Sequence, residues 1–348
     1  MGLAGIKDVA DRAGLSVATV SRALSGKANV SPKSRQLAQA AAKELGFVPS
    51  YHASSLASGR NHNVGLVVPF VHRWYFSSVM EGVSATLLDA GYDLTLYNVG
   101  DQPERRHSVL NDFLLRKRLD AVIAVALVLS EAEIKQLLAI HRPIVGIGGA
   151  LAGASTIRIN DAGLSRMAAD HLIRLGHTRI AHMTGYAELN QDFKLPGIRQ
   201  SGFEAAMKAA GLEVRPEWQV SADFTIQGAY ASARRLLGTA SERPTAVFAA
   251  SDEMAIGTIL AARDFGLRVP QDLSVIGLDG HELGEVFGLT TINQDARGQG
   301  ALAAKLLVER LDAGAKQSAK RASGLPATDD REYPTEFVIR TSTAVPPA

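Results

Sequence analysis

Residues 6–25 read IKDVADRAGLSVATVSRALS, and the rest of the chain is organised around them. Ile6, Val9, Ala10 and Ala13 recur at three- and four-residue spacing and so form one helical stripe. Gly14 ends that helix. Ser16 stands where an N-cap belongs, with its hydroxyl placed to accept from a backbone amide two or three residues on. A second stripe of Val20, Ala23 and Leu24 follows. Two short helices joined by a tight, glycine-containing turn form the helix-turn-helix unit that reads DNA. An ordinary helical hairpin has the same spacing. The polar face favours the DNA reader, because Lys7, Arg12, Thr19, Ser21 and Arg22 lie opposite the apolar stripe and are phosphate-contacting types.

Working outward, GKANVSPKS is a polar turn, and Ser31-Pro32 opens a third helix with proline at its first position. Leu37, Ala40, Ala41 and Leu45 are its expected apolar stripe and Gly46 its end, so three helices can close a small core. The next segment, PSYHASSLASGRNHN, places Ala53, Leu56 and Ala57 on one helical face among small polar residues. A helix so short and polar is marginal alone, and the segment reads as a linker that orders on binding.

Net charge over the 348 residues is only +2, but its distribution is uneven. Residues 1–60 hold eight basic and three acidic side chains, a net of +5, which leaves −3 for the remaining 288. A basic head on a slightly acidic body suits a module that meets phosphates while its partner domain does something else. The length predicts two or three domains. With 46% hydrophobic and 21% charged residues the chain has a globular composition. The absence of cysteine excludes disulfides and thiolate metal sites. With no apolar leader and no run of membrane-spanning length, the expectation is a cytoplasmic protein without a membrane partner.

From Val64 the rhythm becomes strand, helix, strand, helix. VGLVVPF suits a buried parallel strand, and Ser77 to Ala90, Asp93 to Asn98, Gln102 to Arg116, Ala121 to Ala124, Glu131 to Ile140 and Pro143 to Ile147 continue the alternation. A second series runs from Thr156 through the strand Leu273 to Leu278, with helices at Ile198 to Ala210 and Ile226 to Leu237 in succession. The fold class is therefore α/β, with two doubly wound lobes and a cleft between them at the carboxyl ends of the strands. TTINQ and TEFVIRT read as short late strands flanking a helix from Ala296 to Ala313, and the intervening GAKQSAKRASGLPATDDREYP reads as a mobile loop.

Catalytic signatures are missing. GIGGALAG at 146–153 has Leu151 where a dinucleotide fingerprint needs its third glycine, and there is no nucleophile elbow, Walker lysine or HExxH. No cofactor or metal is expected.

IKDVADRAGLSVATVSRALSG, VSPKSR, ASSLASGR and VGLVVP, followed in order by HLIRLGHTRIAHMTG, RQSGF, AVFAASDEMAIG, GLRVPQDLSVIGLD, LTTINQD and PTEFVIRTST, resemble the lactose-repressor (LacI/GalR) family of bacterial transcription regulators. The resemblance implies a three-helix head at 1–49, a hinge at 50–62 and a two-lobed, periplasmic-binding-protein-like core at 63–348. Lobe one would span about 63–160 plus part of 291–334, and lobe two about 161–290 plus the C-terminal strand. It further implies a homodimer, with further pairing of dimers left open. The dimer would bind double-stranded palindromic operator DNA and sense a small molecule, a sugar first among the candidates.

Carried over residue by residue, Val17, Ala18 and Arg22 occupy base-reading positions. Ser16, Thr19, Ser21, Asn29 and Ser31 match phosphate-gripping ones beside Lys7, and Leu56 matches a leucine that wedges into the minor groove. In the cleft, Arg199 and Asp279 match effector-holding positions, Phe76 and Phe224 aromatic walls, Ser251 and Asp252 a strand end, and Gln294 the crossing strand. There are departures. Ser50 and Ser54 replace an asparagine and an arginine common in the hinge, VPFVHRWYF replaces an acidic lip with an aromatic, basic one, and Gly148-Gly149 stand where an Asp-Arg pair is common. An exported sugar-binding transport protein, or an enzyme on the same lobes, would share the core but not the basic head.

Overall fold

The computed structural model describes residues 4–24, 30–47, 60–100, 102–116, 118–127, 129–149, 151–186, 195–239, 242–317 and 329–347. The expectations for Asn29 and for the hinge, Leu56 included, lie outside them.

The head is three helices: α1 (Ile6–Ala13), α2 (Val17–Leu24) and α3 (Pro32–Glu44). Gly14 closes α1 at φ 62°, a left-handed conformation that costs glycine nothing. Ser16 accepts from the Thr19 amide at 3.2 Å, and Ser31 caps α3 by accepting from the Ser34 amide at 3.1 Å. Val9, Ala10, Val20 and Ala23 are buried against α3 as expected. On α3 the buried positions are Ala38, Ala41 and Ala42, whereas Leu37 is 43% exposed. Stripes beginning at 37 and at 38 share Ala41 and Leu45, so periodicity leaves a one-residue ambiguity of phase. Close approach of the three helices selects the alanines. Arg12 stays exposed and pairs through its guanidinium with Glu44 of α3, one arm at 3.0 Å.

The core has two parallel sheets. The first contains β1 (Asn63–Val68), β2 (Asp93–Asn98), β3 (Ala121–Val125), β4 (Ile144–Ile147), β5 (Ser155–Arg158) and β11 (Asp330–Glu332), in the order β11-β5-β4-β3-β1-β2. The second contains β6 (Ile180–Gly185), β7 (Gln219–Ala222), β8 (Ala246–Ala249) and β9 (Ser274–Ile276), in the order β7-β6-β8-β9. In both, the chain reverses direction across the sheet beside its first strand, the point at which ligands enter such folds. β10 (Thr291–Asn293) and β12 (Glu336–Val338) form an antiparallel pair, tied to the second sheet by bridges from Thr290 to Ile276 and from Asn293 to Asp279.

α4 (Trp74–Asp89), α5 (Pro103–Ser108), α6 (Glu131–Leu138) and α12 (Ala296–Gln317) accompany the first sheet. α7 (Asp161–Arg174), α8 (Leu195–Ala209), α9 (Ile226–Thr239), α10 (Asp252–Asp264) and the short α11 (Leu283–Val286) accompany the second. β3 and β4 are buried along their whole length, which explains their unbroken apolar sequence. α4 and α12 cross closely at Gly82 and Gly300, where a Cβ would collide with the carbonyls of Arg297 and Val79.

Three sequence expectations change. The predicted helix from Gln102 to Arg116 is α5 followed by a π turn (Val109–Phe113) and a 3₁₀ turn (Leu114–Arg116). The strand β7 went unread, because half-buried QVSA has neither an alternating nor an unbroken apolar pattern. The loop expected at 314–334 yields α12 residues to Gln317 at one end and β11 at the other. β11 is wholly exposed and polar, so only its pairing with β5 makes it a strand. Among the described residues no helix is long and apolar enough to cross a membrane.

Candidate functional site

Two sites emerge, one in each unit of the chain. In the head, Lys7, Ser16, Ala18, Ser21, Arg22 and Ser31 are exposed and Thr19 half-buried. Val17 opens α2 at 41% exposure while Val20 on the same helix is fully buried. The Arg22 Nε donates to the Ala18 carbonyl at 3.1 Å, which lays the side chain back along the helix.

In the core, a cavity of about 630 Å³ opens at the carboxyl ends of the strands. Phe70 follows β1, Gly100 β2, Ala126 β3, Gly148 β4, Phe224 β7, Ser251 β8 and Asp279 β9, and all of them line it. Of the residues singled out from sequence, Phe76, Arg199, Phe224, Ser251, Asp279 and Gln294 are on the wall. Asp252 is not. Its buried carboxylate accepts from the backbone amides of Gly280 and His281 at 2.9 and 2.8 Å and from the Thr291 hydroxyl at 2.6 Å, so it anchors the loop after β9 from behind.

Arg199 is positioned by the crossing of α7 and α8, which is close because Gly202, one turn on, meets the Ala162 carbonyl with no side chain between. That crossing brings the Arg199 Nε to 2.9 Å from the Asp161 carboxylate, a pair almost wholly buried. From the other side runs a relay. The Tyr75 hydroxyl donates to the Gln299 amide oxygen at 3.4 Å, Gln299 Nε2 donates to the Gln294 carbonyl at 2.7 Å, and Gln294 Nε2 donates to Asp279 at 2.6 Å. Tyr75 is on α4 and Asp279 follows β9, so the relay links the two lobes through β10 and α12.

The sequence reading missed Tyr75, Asp161, Glu253 and Gln299, because nothing in their local pattern separates them from cap or surface residues. Gly148 clarifies one departure noted above. A Cβ there would lie 3.7 Å from the Tyr75 hydroxyl, so tyrosine occupies the region an acidic side chain would enter.

Burial pushes the Asp279 carboxyl well above the usual range, with Arg199 opposing and Asp252 adding to the rise. Burial likewise pushes Glu253 up to about 7, against the pull of Arg73. Tyr75 is raised by burial and by the carboxylates of Asp161 and Asp279. Ala126, Phe224 and Asp279 all have positive φ (50°, 60° and 155°), conformations that side chains rarely adopt and that gather at ligand sites. The arrangement offers aromatic walls, hydrogen-bonding groups held by one another and little net charge, which suits binding of a polar, uncharged molecule.

Residues 5–50 match the family described as bacterial regulatory proteins, lacI family, and residues 169–343 match a periplasmic binding protein-like domain. Over 323 residues the chain is 34% identical to the HTH-type transcriptional repressor PurR of Erwinia tasmaniensis, covering 91% of this chain and 93% of that protein. It is also 34% identical to the ribose operon repressor of Escherichia coli, with 89% and 93% covered. Among solved structures, the complex of the transcriptional regulator CelR with cellobiose aligns at a TM-score of 0.67 and 30% identity, over 97% of this chain and 99% of that one. A lac repressor dimer bound to operator shares the fold at a TM-score of 0.84, with 23% identity over 99% of this chain and 100% of that one.

Proposed function

The chain belongs to the lacI family of bacterial regulatory proteins, and from that premise we propose that it is a transcriptional repressor, which reads a palindromic operator as a homodimer and responds to a sugar bound in the cavity. The observation that carries this reading is the presence in one chain of a helix-turn-helix head and a cavity walled by the strand ends of both sheets. The named relatives are repressors, and the CelR structure holds cellobiose.

In the head, Arg22 reaches a guanine edge and Val17 and Ala18 make apolar base contacts, while Lys7, Ser16, Thr19, Ser21 and Ser31 hold phosphates. Asn29 and Leu56 keep the phosphate and minor-groove roles the resemblance assigns them. In the cavity, Arg199, Asp279 and Gln294 hold hydroxyls between Phe76 and Phe224. The named relatives are repressors, and the chain is accordingly read as a binding protein and not an enzyme. The effector moves the DNA equilibrium only by its differential affinity for the two states of the protein, a coupling of about 1–3 kcal/mol in typical cases.

Fluorescence anisotropy of the full chain on a duplex with two half-sites about 10 bp apart tests the reading. Affinity should fall steeply with salt and change when a sugar is added. Equally tight binding by a monomer to one asymmetric half-site would overturn it.

A further inference from the structure

Resting on that effector reading, we infer that the cavity takes an uncharged two-ring glycoside, whose second ring sits in the first lobe against Gln102, Arg106 and Glu133. The breadth of the site comes first. Its wall runs across four neighbouring strand ends, from Gly148 after β4 through Leu127 after β3 and Phe70 after β1 to Gly100 after β2. Strands in a sheet lie about 4.8 Å apart, so this wall is about 14 Å long, the length of two linked pyranoses and not of one. A single ring held by Arg199 and Asp279 leaves the β1-β2 end unused.

That far end is built. Arg106 Nε donates to Glu133 at 2.6 Å and its second arm to the other carboxylate oxygen at 3.2 Å. The Ser130 hydroxyl donates to the same carboxylate at 3.0 Å, and the two charged side chains are only 14% and 22% exposed. A forked pair of this kind is rigid and neutral as a unit. It offers a fixed donor and a fixed acceptor to hydroxyl groups and no net charge to a phosphate. Between the two ends lies apolar surface suited to the C–H faces of a sugar. Phe70 packs edge-on to Phe76 with centroids 5.9 Å apart, and the Arg73 guanidinium covers Phe70 at 4.0 Å. Among the described wall residues there are four carboxylates, Glu133, Asp161, Glu253 and Asp279, against three guanidiniums, Arg73, Arg106 and Arg199. Burial favours protons on Asp279 and Glu253, so the wall as a whole carries little net charge, which suits a neutral ligand.

The test is isothermal titration and thermal shift of the full chain with cellobiose, maltose, lactose and trehalose, and with glucose, galactose, glucose 6-phosphate and adenine. At least one disaccharide should bind about tenfold or more tighter than its component monosaccharides, about 1.4 kcal/mol. Arg106→Ala and Gln102→Ala, each checked for an intact melting transition, should bring that ratio down to about one. The inference is overturned if a monosaccharide, glucose 6-phosphate or adenine binds as tightly as the best disaccharide, or if neither variant changes the ratio. Monosaccharide or adenine binding that is lost in Arg199→Ala would keep the effector cavity while removing the second ring. No shift with any of the eight compounds would remove both.

Discussion

The indole of Trp74 stacks on the imidazole of His281, with ring centroids 4.8 Å apart and planes 22° from parallel, and its Nε1 donates to the carboxylate of Glu282. Trp74 begins α4 of the first lobe, between the wall residues Arg73 and Tyr75. His281 follows the wall residue Asp279 in the second, and its backbone amide is held by Asp252. The two lobes are thus fastened beside the cavity by a contact that belongs to this arrangement of the lobes.

An effector that binds this arrangement therefore gains from the stack. Aromatic pairs contribute about 0.5–1.5 kcal/mol beyond their buried area, so Trp74→Ala should weaken effector binding by roughly 2- to 10-fold. Titration of the purified variant reads it directly, and an unchanged Kd counts against the coupling.

Arg199 and Asp161 form a buried ion pair, so removing one partner strands the other charge. Arg199→Ala should cost about 3–5 kcal/mol of stability and abolish the effector response. Adding Asp161→Asn should return much of the stability without returning the response. If the double variant recovers both, Arg199 only supports the fold. Denaturant melts and effector titrations separate the outcomes.

In the head, Arg22 and Arg12 should behave differently despite both being exposed arginines. Arg22→Ala should cost about 1–3 kcal/mol of operator binding and relax preference at one base pair in each half-site. Arg12→Ala breaks the tie to Glu44 and should lower the melting temperature of the head while leaving base preference as it was. A binding selection over randomised duplexes distinguishes the two, and a shared loss of preference would contradict the assignment.

His182 lies fully buried between Phe203 and Phe248, its rings stacked at 4.9 and 4.8 Å, and donates from Nδ1 to the Phe248 carbonyl at 3.1 Å. Burial lowers its proton affinity from 6.5 to about 4, with the Phe248 carbonyl opposing and Arg199 assisting. Between those values the unfolded chain binds a proton that the folded one refuses, so this residue's contribution falls as pH drops through that window. The loss approaches about 3 kcal/mol at the acid end. The raised carboxyls of Asp252, Asp279 and Glu253 slope the opposite way, since the folded state holds their protons more tightly. The measurement is therefore the difference between wild type and His182→Leu in urea unfolding from pH 7 to 4. That difference should shrink as pH falls, and a constant difference would assign the acid loss elsewhere.

Much of this protein follows from its sequence alone. The head helices, the cap at Ser16, the stop at Gly14 and the alternation of strand and helix after Val64 are local events. They depend on which residues lie three, four or two positions apart, and that information travels with the chain. Six of the seven cleft residues that the family resemblance picked out of the sequence, Arg199 and Asp279 among them, line the cavity. What only the tertiary structure decided depends on partners far away in sequence. Polar Asp330–Glu332 becomes a strand because β5 offers its edge, and Asp252 turns from the cavity because Gly280, His281 and Thr291 claim its carboxylate. Arg12 is drawn to Glu44, and Tyr75, Asp161 and Gln299 become site residues only when helices of both lobes converge on Arg199 and Asp279. The physical reason is that periodicity specifies which face of an element is apolar, whereas the destination of a polar side chain is set by whichever distant donor or acceptor folding brings within hydrogen-bond reach.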